Sequence, residues 1–183
     1  MQVRRAVLAG VFTWVAALGV CPTAQAPTIE YDVKAAFLLN FVRFVEWPPA
    51  SRDAPTFGLC TLQPDPFGAR LEATAAGETW EGRPIAVRRI TTLRNSECHL
   101  LYVPNGSMTT FRLMQKELST QAVLTVGESN DFVQRAGMIQ FHVEANRVRF
   151  SINTRSASAA GLRIGSRLLR LAKEVITKED PLR

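Results

Sequence analysis

A thiol beside an imidazole, Cys98-His99, is the pair whose residue types first raise the question of chemistry. Cysteine and histidine are the usual zinc ligands, and together they also form nucleophile–base pairs. Neighbours in a strand point to opposite faces, so these two side chains cannot readily chelate together. No CxxC or HExxH spacing supports a metal site. The second histidine, His142, lies between Phe141 and Val143, and alternation predicts that it faces solvent. Gly127-Glu128-Ser129-Asn130-Asp131 lacks the second glycine of a nucleophile elbow. Gly161-Leu-Arg-Ile-Gly165-Ser166 lacks the phosphate-binding lysine, and reads as close packing within a final helix. The segment Leu62-Gln-Pro-Asp-Pro-Phe-Gly68 has two prolines and one glycine, which does not make a dinucleotide cradle. Glu72, Glu78, Glu81 and Glu97 fall in surface-like contexts, and Asp65 between its prolines reads as a turn former. The expectation is a binding or regulatory protein with no catalytic residues, no metal and no cofactor.

Composition narrows the class further. Of 183 residues, 46% are hydrophobic and 21% charged, which is ordinary for one globular domain with a real core. The formal net charge of +6 raises nucleic acid or an anionic surface as partners. The arginines, however, are scattered, with no dense run and no basic–aromatic interleaving, so nucleic acid is disfavoured. Residues 1–26 read as a secretory signal: Arg4 and Arg5, an apolar run from Val7 to Val20, then Ala24-Gln25-Ala26. Pro27 fits poorly as a first mature residue, so the cleavage point stays open. Cys21 invites a lipoprotein reading, against which Val20 stands where a small residue should precede. Export implies an oxidising compartment, and the two remaining cysteines, Cys60 and Cys98, then suggest one disulfide.

The elements that must position these residues begin with Ile29 to Trp47. Ile29, Val33, Ala36, Phe37, Phe41 and Phe44 recur at helical spacing until Pro48-Pro49 ends the run. The Phe37–Phe41–Phe44 row is expected to cover a sheet. A second apolar row, Leu38, Val42 and Val45, widens the arc and is a candidate dimer or partner surface, the alternative being burial under the C-terminal helix. Strands are predicted at 56–62, 83–90, 99–103 and 123–126, with helices at 67–76 and 107–118 and a brief helix carrying Phe132 and Val133. Residues 138–143 and 148–153 form an antiparallel hairpin, and 156–176 a long final helix. The whole is an α/β fold: a single-domain sandwich with a mixed central sheet of about six strands flanked by helices. Residues 27–183 form that domain. Alternation puts Val148, Phe150 and Ile152 inward, leaving Arg147, Arg149, Ser151, Asn153 and, at the exit, Arg155 outward as candidate partner contacts. A merely solvated strand face is the competing reading.

With these pieces in order, the chain resembles the YfiR family of periplasmic regulators. The resemblance rests on VKAAFLLNFVRFVEWP (33–48), FGLCTLQPDPFG (57–68), GRPIAVRRI (82–90), ECHLLYV (97–103), VLTVGESNDFVQRAGMIQF (123–141), VRFSINTRSASAAGL (148–162) and SRLLRLA (166–172). It implies a periplasmic repressor that contacts the periplasmic sensory region of a membrane-bound diguanylate cyclase, lowering cyclic-di-GMP and restraining biofilm formation. It further implies a homodimer and sequestration by an outer-membrane lipoprotein. Cys60 and Cys98 match two family cysteine positions that can pair, while a second family pair has no counterpart between Val133 and Phe141. An acidic residue often precedes the IN of the hairpin in the family; here it is Ser151. If the two cysteine strands are parallel neighbours, Cys60 and Cys98 would lie near opposite ends, and a bridge would need antiparallel strands or a local departure. Two buried, reduced cysteines are the alternative. Outside the family reading stand a periplasmic small-ligand binder and an exported enzyme with an unrecognised site.

Overall fold

A computed structural model describes residues 27–177. The signal-like segment 1–26 and its cleavage point lie outside the described residues. Helix α1 (Pro27–Phe44) leads into a two-residue strand, β1 (Val45–Glu46), and a 3-10 turn at Pro49–Arg52. Then come β2 (Phe57–Leu62), α2 (Arg70–Ala75), β3 (Thr79–Trp80), β4 (Arg83–Ile90), β5 (Leu100–Val103) and α3 (Met108–Leu118). The chain continues through β6 (Leu124–Gly127), β7 (Ile139–Glu144), β8 (Arg147–Asn153), α4 (Thr154–Ala159), β9 (Arg163–Ile164), α5 (Ser166–Leu171) and β10 (Glu174–Ile176). No described helix is long and apolar enough to cross a membrane.

Eight strands form one mixed sheet in the order β10-β8-β7-β6-β5-β2-β4-β3, two more than the roughly six expected. The extra members are short edge strands, β3 and β10, too brief to leave a period-2 pattern. Its centre, β4-β2-β5-β6-β7, is parallel throughout, and β8 turns back antiparallel as the predicted hairpin. This is a doubly wound order with the reversal of direction between β2 and β5. The buried strands β2, β5 and β6 are apolar on both faces, as a sheet covered on both sides requires. One face meets α1, α2 and α5 through Phe41, Phe57, Leu59, Tyr102, Phe141, Phe150 and Leu168. The other meets α3 and the turn at 129–137 through Cys60, Leu101, Phe111, Met114 and Phe132. The expected brief helix at Phe132–Val133 is a hydrogen-bonded turn instead.

The apolar arc of α1 is filled within the chain only from Phe37 onward: Ile29, Val33 and Ala36, expected on the same stripe, are exposed, because the buried face runs through Lys34, Ala35, Leu38, Phe41 and Val42. Phe37 and Phe41 stack over Phe141 and Phe150 with ring centroids 5.2–6.0 Å apart. Leu38, Val42 and Val45 are buried, so the dimer or partner surface assigned to them falls away. The reason is that α1 is packed not only on the sheet but also against α2 and α5.

The long C-terminal helix is the other correction. After six residues α4 stops at Ala160, and Gly161 turns the backbone left-handed with φ +76°. Arg163 and Ile164 pair antiparallel with Glu46 and Val45. Gly165 donates its N–H to the Phe44 carbonyl at 2.8 Å, where a Cβ would stand 2.7 Å from that oxygen. The Gly161–Ser166 stretch is therefore a break that clasps the end of α1, not a helix-packing stripe. Residues 174–176 then run parallel to β8 as an added strand.

Candidate functional site

Three groups of residues compete for a functional role: the cysteine–histidine corner at the amino end of β5, the hairpin β7–β8, and a charged cleft at the carboxyl ends of β5 and β6.

Cys60 and Cys98 are joined by a disulfide with Cα atoms 5.8 Å apart. The strands are parallel neighbours, with Cys60 opposite Leu101, the arrangement expected to keep the cysteines apart. A local departure brings them together. Asn95 and Glu97 adopt left-handed φ of 59° and 48°, folding Cys98 back over β2 before β5 begins. The approach is so close that a Cβ on Gly58 would lie 1.9 Å from the Glu97 carbonyl oxygen. His99 turns to the other face. Its Nδ1 accepts the Gly58 N–H at 3.0 Å, and its Nε2 lies 3.0 Å from the Ser51 carbonyl, which fixes the Nε2–H tautomer. The ring stacks on Phe57 at 4.9 Å, beside Trp80. Burial lowers the His99 pKa, so the imidazole is held neutral. Among the described residues no three His, Cys, Asp or Glu side chains gather as metal ligands.

On the hairpin, Arg147 and Arg149 are exposed, as is Arg155 beyond it. Ser151 and Asn153 are not on that surface: both are buried. Ser151 Oγ lies 2.8 Å from His142 Nε2, and Asn153 donates to the Val133 carbonyl while capping α4 through the Ser156 N–H. Alternation gives their direction correctly, but Asn153 is met by the 129–137 turn at Val133, and Ser151 by the neighbouring His142. His142 is half-buried rather than solvent-facing, with Lys173 close by.

The cleft has no counterpart among the sites expected from the sequence. Lys34 is almost wholly buried, its side chain 2% exposed, and its ammonium bridges the carboxylates of Glu30 and Glu128. Glu128 also accepts the Tyr31 hydroxyl at 3.3 Å and the Asn105 N–H at 2.9 Å. Burial alone would raise the Glu128 pKa, but Lys34 and Asn105 outweigh it and the net shift is downward. Burial, then the Glu128 charge, pushes Tyr31 up to about 12. The Tyr102 hydroxyl makes no well-formed hydrogen bond; burial, then the nearby Glu128 charge, raises its pKa as well. Above this floor opens a cleft of about 400 Å³, bounded by α1, Asn105, Asn130 and β7. Open α/β sheets present ligand sites beyond the carboxyl ends of their strands, which is where it lies. The sequence signal is a lone lysine within the apolar run of α1, four residues after Glu30.

The profile of the YfiR/HmsC-like family matches residues 31–173, nearly the whole described domain. The chain belongs to the YfiR/HmsC-like family. That family consists of periplasmic regulators acting on diguanylate cyclase signalling rather than enzymes. The disulfide fits an oxidising compartment. No curated protein matches the sequence. Among solved structures, a conserved domain protein of Vibrio cholerae aligns at 10% identity and TM-score 0.50, over 79% of this chain and 60% of that one. The ABC domain of Streptococcus pneumoniae, solved in complex with L-Trp, aligns at 12% identity and TM-score 0.52, over 78% and 60%. The chain thus spans about 60% of the length of either structure, and at these identities the likeness concerns the fold alone.

Proposed function

We propose that this YfiR/HmsC-like chain is a periplasmic negative regulator that binds the periplasmic sensory region of a membrane-bound diguanylate cyclase and represses cyclic-di-GMP production, restraining biofilm formation. The observation that carries the reading is the family match across residues 31–173. Repression by binding requires a higher affinity for the inactive arrangement of the cyclase than for the active one. The exposed arginines Arg147, Arg149 and Arg155 are the contacts retained from the hairpin. A homodimer and sequestration by an outer-membrane lipoprotein belong to the same reading. The test is co-purification of the full chain with the sensory region, with cyclic-di-GMP measured in cells carrying both proteins. Binding together with lowered cyclic-di-GMP is expected; absence of both, with the disulfide intact and reduced, would overturn it.

A second reading, a periplasmic small-ligand binder, is favoured by the 400 Å³ cleft and by the L-Trp held by the Streptococcus pneumoniae relative. Calorimetric titration of amino acids into the full chain separates it from the first.

A further inference from the structure

Strand β6 ends at Gly127, opposite Gln140, whereas β7 runs on to Glu144. Beyond Gln140, β7 has β8 on one side and the charged cleft on the other. The hydrogen-bond phase of the hairpin follows from the Asn153 N–H donating to the Met138 carbonyl at 2.7 Å. In an antiparallel ladder, bonded pairs then recur at Gln140, His142 and Glu144. The N–H and C=O of Val143 are thereby turned away from β8 and into the cleft. Elsewhere the sheet's edges are blunted: β10 and β3 have three and two residues, and β4 carries Pro84, Arg88 and Arg89. From Phe141 to Val143 there is no proline, lysine or arginine, the charged Glu144 coming only at the end of the strand, and Val143 is 50% exposed.

Carboxylates border the cleft although the chain is basic. Glu144 is met by Lys173 and Arg149, but Glu30 and Glu128 share the single ammonium of Lys34, so one negative charge is left over at that group in a protein of formal charge +6. Glu30 is the carboxylate with room for a further donor, its side chain being 32% exposed.

We propose that this cleft takes an extended peptide segment of the partner protein, added as a strand along Val143 and directing a lysine or arginine side chain to Glu30. Main-chain hydrogen bonds supply the affinity of such an addition and the alternating side chains its selectivity. The proposal rests on the reading of the chain as a protein-binding regulator, and names how the partner is held.

The test uses the full chain and a fluorescein-labelled hexapeptide of alternating lysine and valine, read by anisotropy. Binding is expected. It should weaken about tenfold or more when the peptide amides facing the protein are N-methylated, since each lost hydrogen bond is worth about 1 kcal/mol. A comparable loss is expected for Val143→Pro, which removes an N–H that β8 does not use, and a smaller one for Glu30→Gln. No binding, or equal binding by the N-methylated peptide, would overturn the proposal without depending on how any variant folds. A concentration-dependent dimer of the free chain, abolished in Val143→Pro, would assign the edge to a second copy and also overturn it. If the cyclase region binds wild type and Val143→Pro equally, strand addition fails while the repressor reading stands. If the peptide binds and the cyclase region does not, the reverse holds.

Discussion

At its amino end β5 is fastened by a disulfide and a neutral histidine packed in a ring of aromatics; at its carboxyl end the strand runs under a lysine buried between two carboxylates. The first corner is packed with aromatic rings, and a depression of about 600 Å³ borders it at Trp47 and Trp80. Trp47, Phe57, Trp80 and His99 fill the corner, with the Trp47 Nε1–H donating to the His99 carbonyl at 3.3 Å. The second differs in what it presents to its cleft, a buried ammonium held between carboxylates instead of aromatic rings. A buried ion network costs desolvation that an apolar filling would avoid, so it is weak evidence for a purely structural role. The difference teaches that one end of the sheet is built as a staple. The other keeps charge in place at a site that can still be reached.

The sharpest way to break this contrast is to remove Glu128. Glu128→Ala leaves Lys34 buried with Glu30 alone, and a loss of about 3–5 kcal/mol in urea unfolding is expected. The double variant Lys34→Met/Glu128→Leu should recover most of it, because neither charge is then stranded. If the double variant is as unstable as the single one, the network is structural and the contrast collapses. Next comes the staple. Cys60→Ala/Cys98→Ala should cost about 2–4 kcal/mol, and a reductant should reproduce that loss in wild type only.

How much is legible in the sequence differs between the two ends. The helix α1, the central strands and the hairpin declare themselves through local periodicity. The disulfide corner does not, because it depends on Asn95 and Glu97 entering the left-handed region, and nothing in their types demands it. The cleft is hidden for another reason: Lys34 reads as one of the sparse charges of an apolar helix, and Glu128 lies 94 positions away. The C-terminal segment reads as one long helix because the apolar spacing from Ala157 to Val175 continues through Gly161 and Gly165. The pairing of β9 with β1 is a tertiary choice that local propensity does not register. Alternation correctly assigns Phe150 and Ile152 to the core, but the partners that bury the opposite face, Val133 at Asn153 and His142 at Ser151, lie elsewhere in the chain, where alternation cannot see them.

Acid separates the two ends again. The His99 pKa is lowered from its ordinary 6.5, so as pH falls below that value the unfolded chain takes up the proton first. Stability from the neutral ring is therefore complete above about 6.5 and drains away below it. His142 is lowered too, by burial and then by Lys173, and adds to the same window. Glu128 is lowered from its ordinary 4.5, so its contribution is complete above that value and is lost as pH falls through the lower folded-state pKa. Urea midpoints followed from about pH 8 to about pH 3 should show two successive losses. His99→Gln should reduce the upper one to the share of His142 and leave the lower, while the Lys34→Met/Glu128→Leu variant should leave the upper and reduce the lower to the share of the exposed ion-paired carboxylates Glu72, Glu81 and Glu144.

The smallest effect on stability is expected at the hairpin surface. Arg147 and Arg149 are exposed, and substitutions at such positions usually change stability by no more than about 0.5 kcal/mol. Arg147→Ala/Arg149→Ala should therefore unfold at the wild-type midpoint. On the repressor reading it should nevertheless weaken binding of the cyclase region, and more so at low salt, where exposed charges are least screened. The cleft predicts a different pattern: Val143→Pro removes a main-chain hydrogen bond between neutral groups, so its effect on binding should depend far less on salt. Measuring the salt dependence of both variants against the same partner thus distinguishes recognition by the arginine surface from recognition by the open edge of β7. A partner that is insensitive to the arginine pair yet sensitive to Val143→Pro would place recognition at the carboxyl end of the sheet. The reverse result would leave the Lys34–Glu128 network without a neighbour to serve.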